Sequence, residues 1–434
     1  MKETVPVAIL GAGLSGLSCA FYLKKKCVVF EKDSRIGGLC KTEKVKGFTF
    51  DYTGHLLHFR KNENKKTVKA LLKENLLSHQ RRAWIFSQGT YTRYPFQANL
   101  YGLPQTMVKE CVEGVRRARS AELSLIGKVR PGAGNFKKWI YANFGEGLAR
   151  YFMIPYNEKF WTFPLEEMST EWTEKFIPLP ALKDVIAGAE GKQKRHFGYN
   201  SLFYYPLRGG IEVLPRSFVS SPVKIKLKSR AVKILLRSKK VKFSNGSEQR
   251  YDKLVSTLPL PELVRIIAPL PAEVRKASRL LRYVSVFNFN LGIDRRDISD
   301  KHWIYFPGKN FIFYRAGFYS NFSSFLIPPG ASSIYTEVSY SKNKPLDKKR
   351  VAKRIIRDLI KAGIITSSDK ILARCALDIK YAYPLYDHNR LNSLKVIQEF
   401  LRDNDVYSIG RFGSWEYLSM EDVISQARKI ASGL

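Results

Sequence analysis

The sequence predicts an α/β fold: a Rossmann-like dinucleotide-binding domain interrupted by a mainly helical insertion and an antiparallel β-sheet domain. Three observations predict it. A strand, a glycine turn, a helix, a second strand and an acid follow one another within residues 5–31. Apolar residues recur at helical spacing between about residues 100 and 190. Strand-like patterns dominate 223–258 and 283–340. A chain of 434 residues has room for two or three domains.

Val5–Leu10 is a short, continuous apolar run, as a buried parallel strand requires. Gly11, Gly13 and Gly16 follow, Leu17–Lys24 reads as a helix, and Cys27–Phe30 as the second strand. Glu31 closes the unit about twenty residues after Gly11. Gly11 permits the tight turn, Gly13 lets the backbone approach a pyrophosphate, and Gly16 lets the helix lie close to the strand. The helix N-terminus offers free N–H groups to phosphate. Glu31 can accept hydrogen bonds from ribose hydroxyls.

Further along, Val108, Cys111, Val112 and Val115 form one apolar helix face. Asn245–Gly246 is a hairpin signal, and Tyr251–Thr257 reads as a strand returning to the first domain. Residues 283–340 are rich in aromatic and β-branched types. Another strand ends at Gly410, and Met420, Glu421, Asp422 and Val423 open a last helix with acids in its first turn. The expected domains are 1–95, 200–265 and 390–434 for the discontinuous dinucleotide-binding part, 96–199 for the helical insertion and 266–389 for the antiparallel sheet. Segments 195–200 and 132–134 are candidates for a lid loop.

The formal net charge is +36. Lys and Arg are spread along the chain in short runs such as Lys24–Lys26 and Lys348–Arg350, the distribution of a basic solvated surface. Attraction for phosphate is the functional alternative. There is no long basic tail and no zinc-finger spacing, so no specific nucleic-acid partner and no metal are expected. Five cysteines without a CxxC argue against a disulfide framework and for a reducing cytoplasm, with association at the inner face of a membrane left open. The run Val5–Cys19 imitates a signal peptide, but the glycine turn inside it explains it better. No apolar stretch reaches the roughly eighteen residues of a transmembrane helix.

Ser34–Leu39, with Gly37 and Gly38, resembles the second glycine motif of the glutathione-reductase and amine-oxidase flavoproteins, a superfamily that includes protoporphyrinogen-oxidase-like proteins. That implies FAD rather than a soluble nicotinamide, and makes the first domain an FAD-binding one. Later blocks resemble the UDP-galactopyranose mutase family in the same order. They are Phe48–His55, Tyr94–Gln97, Pro155–Trp161, Asn200 with Phe203–Pro206 and Gly209–Gly210, Trp303–Pro307, Phe313–Arg315, Tyr383–Pro384 and Gly410–Tyr417. The resemblance thus spans nearly the whole chain and makes the antiparallel sheet a substrate domain.

The resemblance implies a reaction and a site. A nucleotide-linked hexopyranose of UDP-galactose type becomes the furanose through an adduct at N5 of reduced flavin, with no net redox change. The enzyme is then an isomerase supplying cell-surface polysaccharide synthesis. Its partners would be the nucleotide sugar and a flavin reductant, and it could form a homo-oligomer. His55, Arg315 and Arg411 are the implied catalytic residues. The implied substrate contacts are Phe96, Gln97, Asn157, Trp161, Asn200, Trp303, Tyr305, Tyr383 and Tyr417. The implied FAD contacts are Gly11, Gly13, Ser15, Gly16, Glu31, Lys32, Gly38, Leu39, Gly54, His55, Leu56, Val232, Gly410, Met420, Glu421, Asp422 and Val423. One departure stands out: where the family has an arginine shortly before a proline, this chain has Phe176, next to Lys175. It puts the identity of the sugar in question more than flavin binding. The alternatives are an FAD-dependent oxidase or desaturase of the amine-oxidase or protoporphyrinogen-oxidase type, and a non-catalytic basic flavoprotein that binds nucleic acid or an anionic membrane.

Overall fold

The structure, a computed structural model, describes residues 4–123, 134–195, 197–198, 201–219 and 223–434. Asn200 and parts of both candidate lid segments (132–133, 196 and 199) lie outside the described residues.

The apolar runs noted in the sequence build a parallel sheet. Its strands lie in the order Lys224–Lys226, Cys27–Phe30, Val5–Leu10, Glu248–Ser256 and Val406–Ser408. Leu10 pairs with both Phe30 and Ser256, and Ser256 with Ser408, so these strands end level with one another. Gly11, Glu31, Thr257 and Gly410 therefore emerge on one edge, where ligands of open α/β sheets bind. Helices Leu14–Leu23 and Met420–Ser432 pack on this sheet through Leu17, Ala20, Val423, Ile424 and Ala427. An antiparallel meander, Ala231–Leu235, Lys240–Phe243 and the start of Glu248–Ser256, turns at Gly246 with φ +77°. That is the hairpin that Asn245–Gly246 announces.

A second sheet runs Ile371–Pro384, Tyr283–Ile293, Ser332–Tyr340, Arg315–Gly317, Trp303–Tyr305, Ala83–Ser87 and Thr90–Arg93. All neighbours are antiparallel except Trp303–Tyr305 and Ala83–Ser87. Two strands from the stretch 1–95 thus belong to the second sheet. Alternation marks a strand but does not name its partner. Successive side chains point to opposite faces. Phe287, Phe289, Leu291, Ile334 and Val338 pack on one face with Ile355 and Leu359 of helix Val351–Lys361. Asn288, Asn290, Tyr335 and Glu337 therefore face the other way.

The described residues of the insertion form helices joined by turns and loops, with no strand among them. Helix Gln105–Leu123 lies against Phe136–Leu148 so closely that a Cβ on Gly145 or Gly147 would run into the facing backbone. Cys111 and Val115 are buried and Val108 and Val112 lie at the edge of the same core, as the helical spacing predicts. That core continues through Trp161 and Trp172 to Tyr383 of the second sheet and Tyr386 just beyond it.

Glu421 locks two helices together. Its carboxylate is buried and accepts from Arg60 N (2.9 Å), Lys61 N (2.7 Å) and Asn64 Nδ2 (3.4 Å), which caps the start of helix Asn62–Leu72. Glu421→Ala leaves those N–H groups unsatisfied. It is expected to cost about 2–3 kcal/mol of stability, read as a lowered urea midpoint.

Candidate active site

Three glycine turns meet at the C-terminal edge of the parallel sheet. Gly37 N donates to Ala12 O at 2.8 Å, and Gly13 bridges Gly37 in parallel register. Gly38 has φ +60°, and a Cβ there would stand 2.9 Å from the Gly13 Cα. Gly38 therefore cannot carry a side chain without the two loops separating. Gly410, with φ +80°, closes the third side, where a Cβ would lie 2.8 Å from Ser15 Oγ. Ser15 Oγ is buried with no partner among the described residues. Glu31 is buried, and its two oxygens accept from Ala12 N (2.7 Å) and Asp33 N (2.9 Å). A carboxylate has about four lone-pair sites, so both oxygens keep capacity for ribose hydroxyls. A backbone-lined cradle at a helix N-terminus, an orphaned hydroxyl and an acid at the next strand end together fit a dinucleotide.

The segment after Phe50 carries the cradle to the second sheet. Arg315 and Glu337 are directly opposite on neighbouring strands. Arg315 Nε and an Nη donate to Glu337 at 2.9 and 2.7 Å, a bidentate pair on a carboxylate with no exposed surface. Glu337 also accepts from Gly54 N at 3.3 Å. A Cβ on Gly54 would collide with the Tyr335 ring, so this glycine is what lets the loop lie flat on the sheet. His55 follows, its Nδ1 buried and without a partner among the described residues. Burial first, then Arg411 and Arg315, pushes its pKa down to about 4, so the imidazole is neutral at pH 7.

Arg411, in the helical turn Gly410–Gly413, has no carboxylate partner among the described residues. Its guanidinium lies 4.5 Å from the Tyr417 ring centre and 5.3 Å from that of Tyr383. Its Nε is buried and unpartnered. Phe176 packs against Tyr417, the ring centres 4.4 Å apart and the planes tilted by 50°. Lys175 turns away, with its ammonium 3.0 Å from Asp422. The position where the resemblance expects an arginine is thus an aromatic ring, and the neighbouring charge is spent on the last helix.

The other expected residues fall into groups. Tyr305 stands among Tyr94 (5.1 Å) and Tyr156 (5.5 Å) on the same side as Arg315. Trp161 is buried between Trp172 and Tyr383. Asn157 spends its amide on Met153 O, and Gln97 donates to Pro178 O while its own oxygen stays unpartnered. Phe96 and Trp303 are core residues: Phe96 stacks on Phe152, and Trp303 packs near Phe203. Leu39 and Leu56 line the edges of the two cores, and Met420 begins the last helix. Val232 and Lys32 are exposed near the Glu31 end, where Ser229 N donates to Glu31 O at 2.7 Å. Glu421 and Asp422 direct their side chains elsewhere, to Arg60, Lys61 and Lys175. Only backbone N–H groups of that helix start remain for a cofactor, because the carboxylates satisfy other donors. Val423 is part of the core.

Sequence reasoning missed Glu337 and Tyr156. The signal for Glu337 was present: one acid in the otherwise uncharged strand Ser332–Tyr340. Tyr156 stood inside a quoted motif but was not singled out.

Gly38→Val is expected to abolish retention of flavin, seen as a colourless purified protein, while far-UV circular dichroism stays near wild type. Acid should also destabilise the fold. Unfolded histidine protonates near pH 6.5, whereas His55 and His58 wait until about 4 and His302 until about 3, all mainly through burial. Between these limits the unfolded chain binds more protons. Stability is therefore full above about pH 6.5 and falls as pH drops toward 4. Asp51, raised to about 6 by burial, and Asp387, also raised mainly by burial, oppose this. Urea midpoints measured from pH 7 to 4.5 should fall by at least about 1 kcal/mol per unit in the extrapolated stability.

The family of flavin-containing amine oxidoreductases matches residues 14–374. The crystal structure of a reduced UDP-galactopyranose mutase superposes with a TM-score of 0.93 at 28% identity, covering 99% of this chain and 95% of that one. This agrees with the family resemblance carried by the motifs. A putrescine oxidase bound to putrescine shares the fold at a TM-score of 0.68 and 15% identity, with 99% of each chain covered. An inactive all-trans-retinol 13,14-reductase of Danio rerio is 43% identical over 63 residues, 13% of this chain. A protein encoded beside nifH2 in Methanothermococcus thermolithotrophicus is 39% identical over 54 residues. These matches span 10% and 52% of the relatives' own lengths. The chain belongs to the flavin-containing amine oxidoreductase family, and its cofactor is FAD.

Proposed function

We propose that the chain is a flavin-dependent mutase that interconverts the pyranose and furanose forms of a nucleotide-linked hexose of UDP-galactose type, with no net redox change. The observation that carries this reading is the pair of arginines beside His55, of which, among the described residues, only Arg315 is neutralised by a carboxylate. Departure of a nucleoside diphosphate builds negative charge, and preorganised cations stabilise it most where water is excluded. Arg411, held against two tyrosine faces with an unpartnered Nε, is ready for phosphate oxygens. Arg315 is fixed in place by Glu337 and keeps further N–H groups for the same anion. The hydroxyls of Tyr383 and Tyr417 stay protonated, since burial raises both, and can donate. Neutral His55 can hydrogen-bond at the sugar without adding a third positive charge. Tyr305 with Tyr94 and Tyr156 forms an aromatic wall for the nucleotide side.

When bound, reduced FAD supplies the nucleophilic centre for the anomeric carbon and is recovered reduced. An external reductant is needed only to prime it. The oxidase reading rests on the shared fold, and two guanidinium groups beside the site disfavour a cationic amine substrate. The Phe176 ring on Tyr417 offers an apolar face where a polar contact was expected, so a panel of sugars is needed.

The test is to reduce the purified protein with dithionite without oxygen and incubate it with UDP- and dTDP-hexoses. Furanose product is expected, by chromatography and NMR of the anomeric centre, from the reduced protein alone. Arg411→Ala and Arg315→Ala should each weaken UDP-hexose binding by about tenfold or more. Unchanged affinity in both variants would sink the mutase reading. Bleaching of oxidised flavin by an amine, with recovery in air, would establish the oxidase instead.

A further inference from the structure

The face of the second sheet that points away from the site carries a concentration of charge. Residues 342–361 contain nine Lys and Arg against two Asp, about a fifth of the chain's net charge in about a twentieth of its length. Helix Val351–Lys361 lies along that face, with Val351, Ile355 and Leu359 buried against the sheet. Its outer surface presents Lys353, Arg357 and Lys361, with Ile360 between them and 39% exposed. Asp358 offers these cations nothing: it is buried and taken by Arg354 (2.9 Å) and Ile312 N (2.7 Å). Among the described residues Lys349, Lys353 and Arg357 have no carboxylate partner.

We propose that this helix docks the protein on an anionic lipid surface. Cations around a protruding aliphatic side chain suit a headgroup layer, where the charges meet phosphates and the isoleucine reaches the acyl boundary. Single-stranded nucleic acid would ask for a groove with aromatic stacking platforms. The helix offers neither, having no aromatic residue and one convex face. Arg315, Tyr335 and Glu337 lie on the opposite face of the same sheet, so docking leaves the candidate active site uncovered. The inference is independent of the mutase reading.

Flavin-loaded full-length protein is sedimented with vesicles of phosphatidylcholine alone, or with about a third phosphatidylglycerol, at about 0.15 M salt. Binding to the anionic vesicles at least about tenfold above the neutral ones is expected. Lys353→Glu with Arg357→Glu should reduce it by about tenfold or more, with flavin absorbance and reduction by dithionite unchanged. Ile360→Ser should weaken it severalfold at constant charge. If the double variant fails to hold flavin, Lys353→Gln with Arg357→Gln is read the same way. Equal binding to both vesicle types, full binding by the charge variants, or displacement from vesicles by an equal phosphate concentration of duplex DNA would overturn the proposal.

Discussion

The bidentate pair between Arg315 and Glu337 is the constraint around which the site is arranged. Glu337 has no exposed surface and sits directly across a strand pair from Arg315. A carboxylate there is tolerable only with a cation held in good geometry and its remaining lone pairs satisfied. Gly54 N supplies one more donor. One buried acid thus joins two strands of the second sheet to the loop that leaves the parallel-sheet domain. It also decides the charge balance, because Arg315 is neutralised while Arg411 is not.

A second constraint is close backbone approach. Gly13 against Gly38, and Gly410 against Ser15, bring three distant stretches of chain to one point on the edge of the parallel sheet. The cradle therefore presents N–H groups, a helix start and the unpartnered Ser15 hydroxyl. The last helix repeats the device: Ser419 and Asp422 cap its first turn reciprocally, and Glu421 caps a neighbouring helix. Acids that looked like cofactor ligands in the sequence are helix locks in the fold. The aromatic patch formed by Phe176, Tyr417 and Arg411 shows the same economy, with the Tyr417 ring contacted by both a cation and a phenyl group.

The sequence made the parallel βαβ unit readable because its information is local. Glycine spacing, an apolar run and an acid at the next strand end all lie within about thirty residues. The helical insertion and the Asn245–Gly246 hairpin were readable for the same reason. Partners were not. Ala83–Ser87 has the alternation of a strand, but only tertiary structure pairs it with Trp303–Tyr305. Phe96 and Trp303 stood in motifs that resemble a pocket; in the fold both are buried among aromatic rings, a packing that motif membership does not specify.

The sequence by itself determined the parallel βαβ unit, the family and the FAD cofactor, because each rests on residue types at short spacing. Tertiary structure alone decided that Glu337 claims Arg315, that Lys175 turns to Asp422 and that Phe176 covers Tyr417. Each depends on which side chains meet in space, across 22 residues for Arg315 and Glu337 and across more than two hundred for the other two. Charge compensation in a buried site is a property of those meetings and not of any one segment.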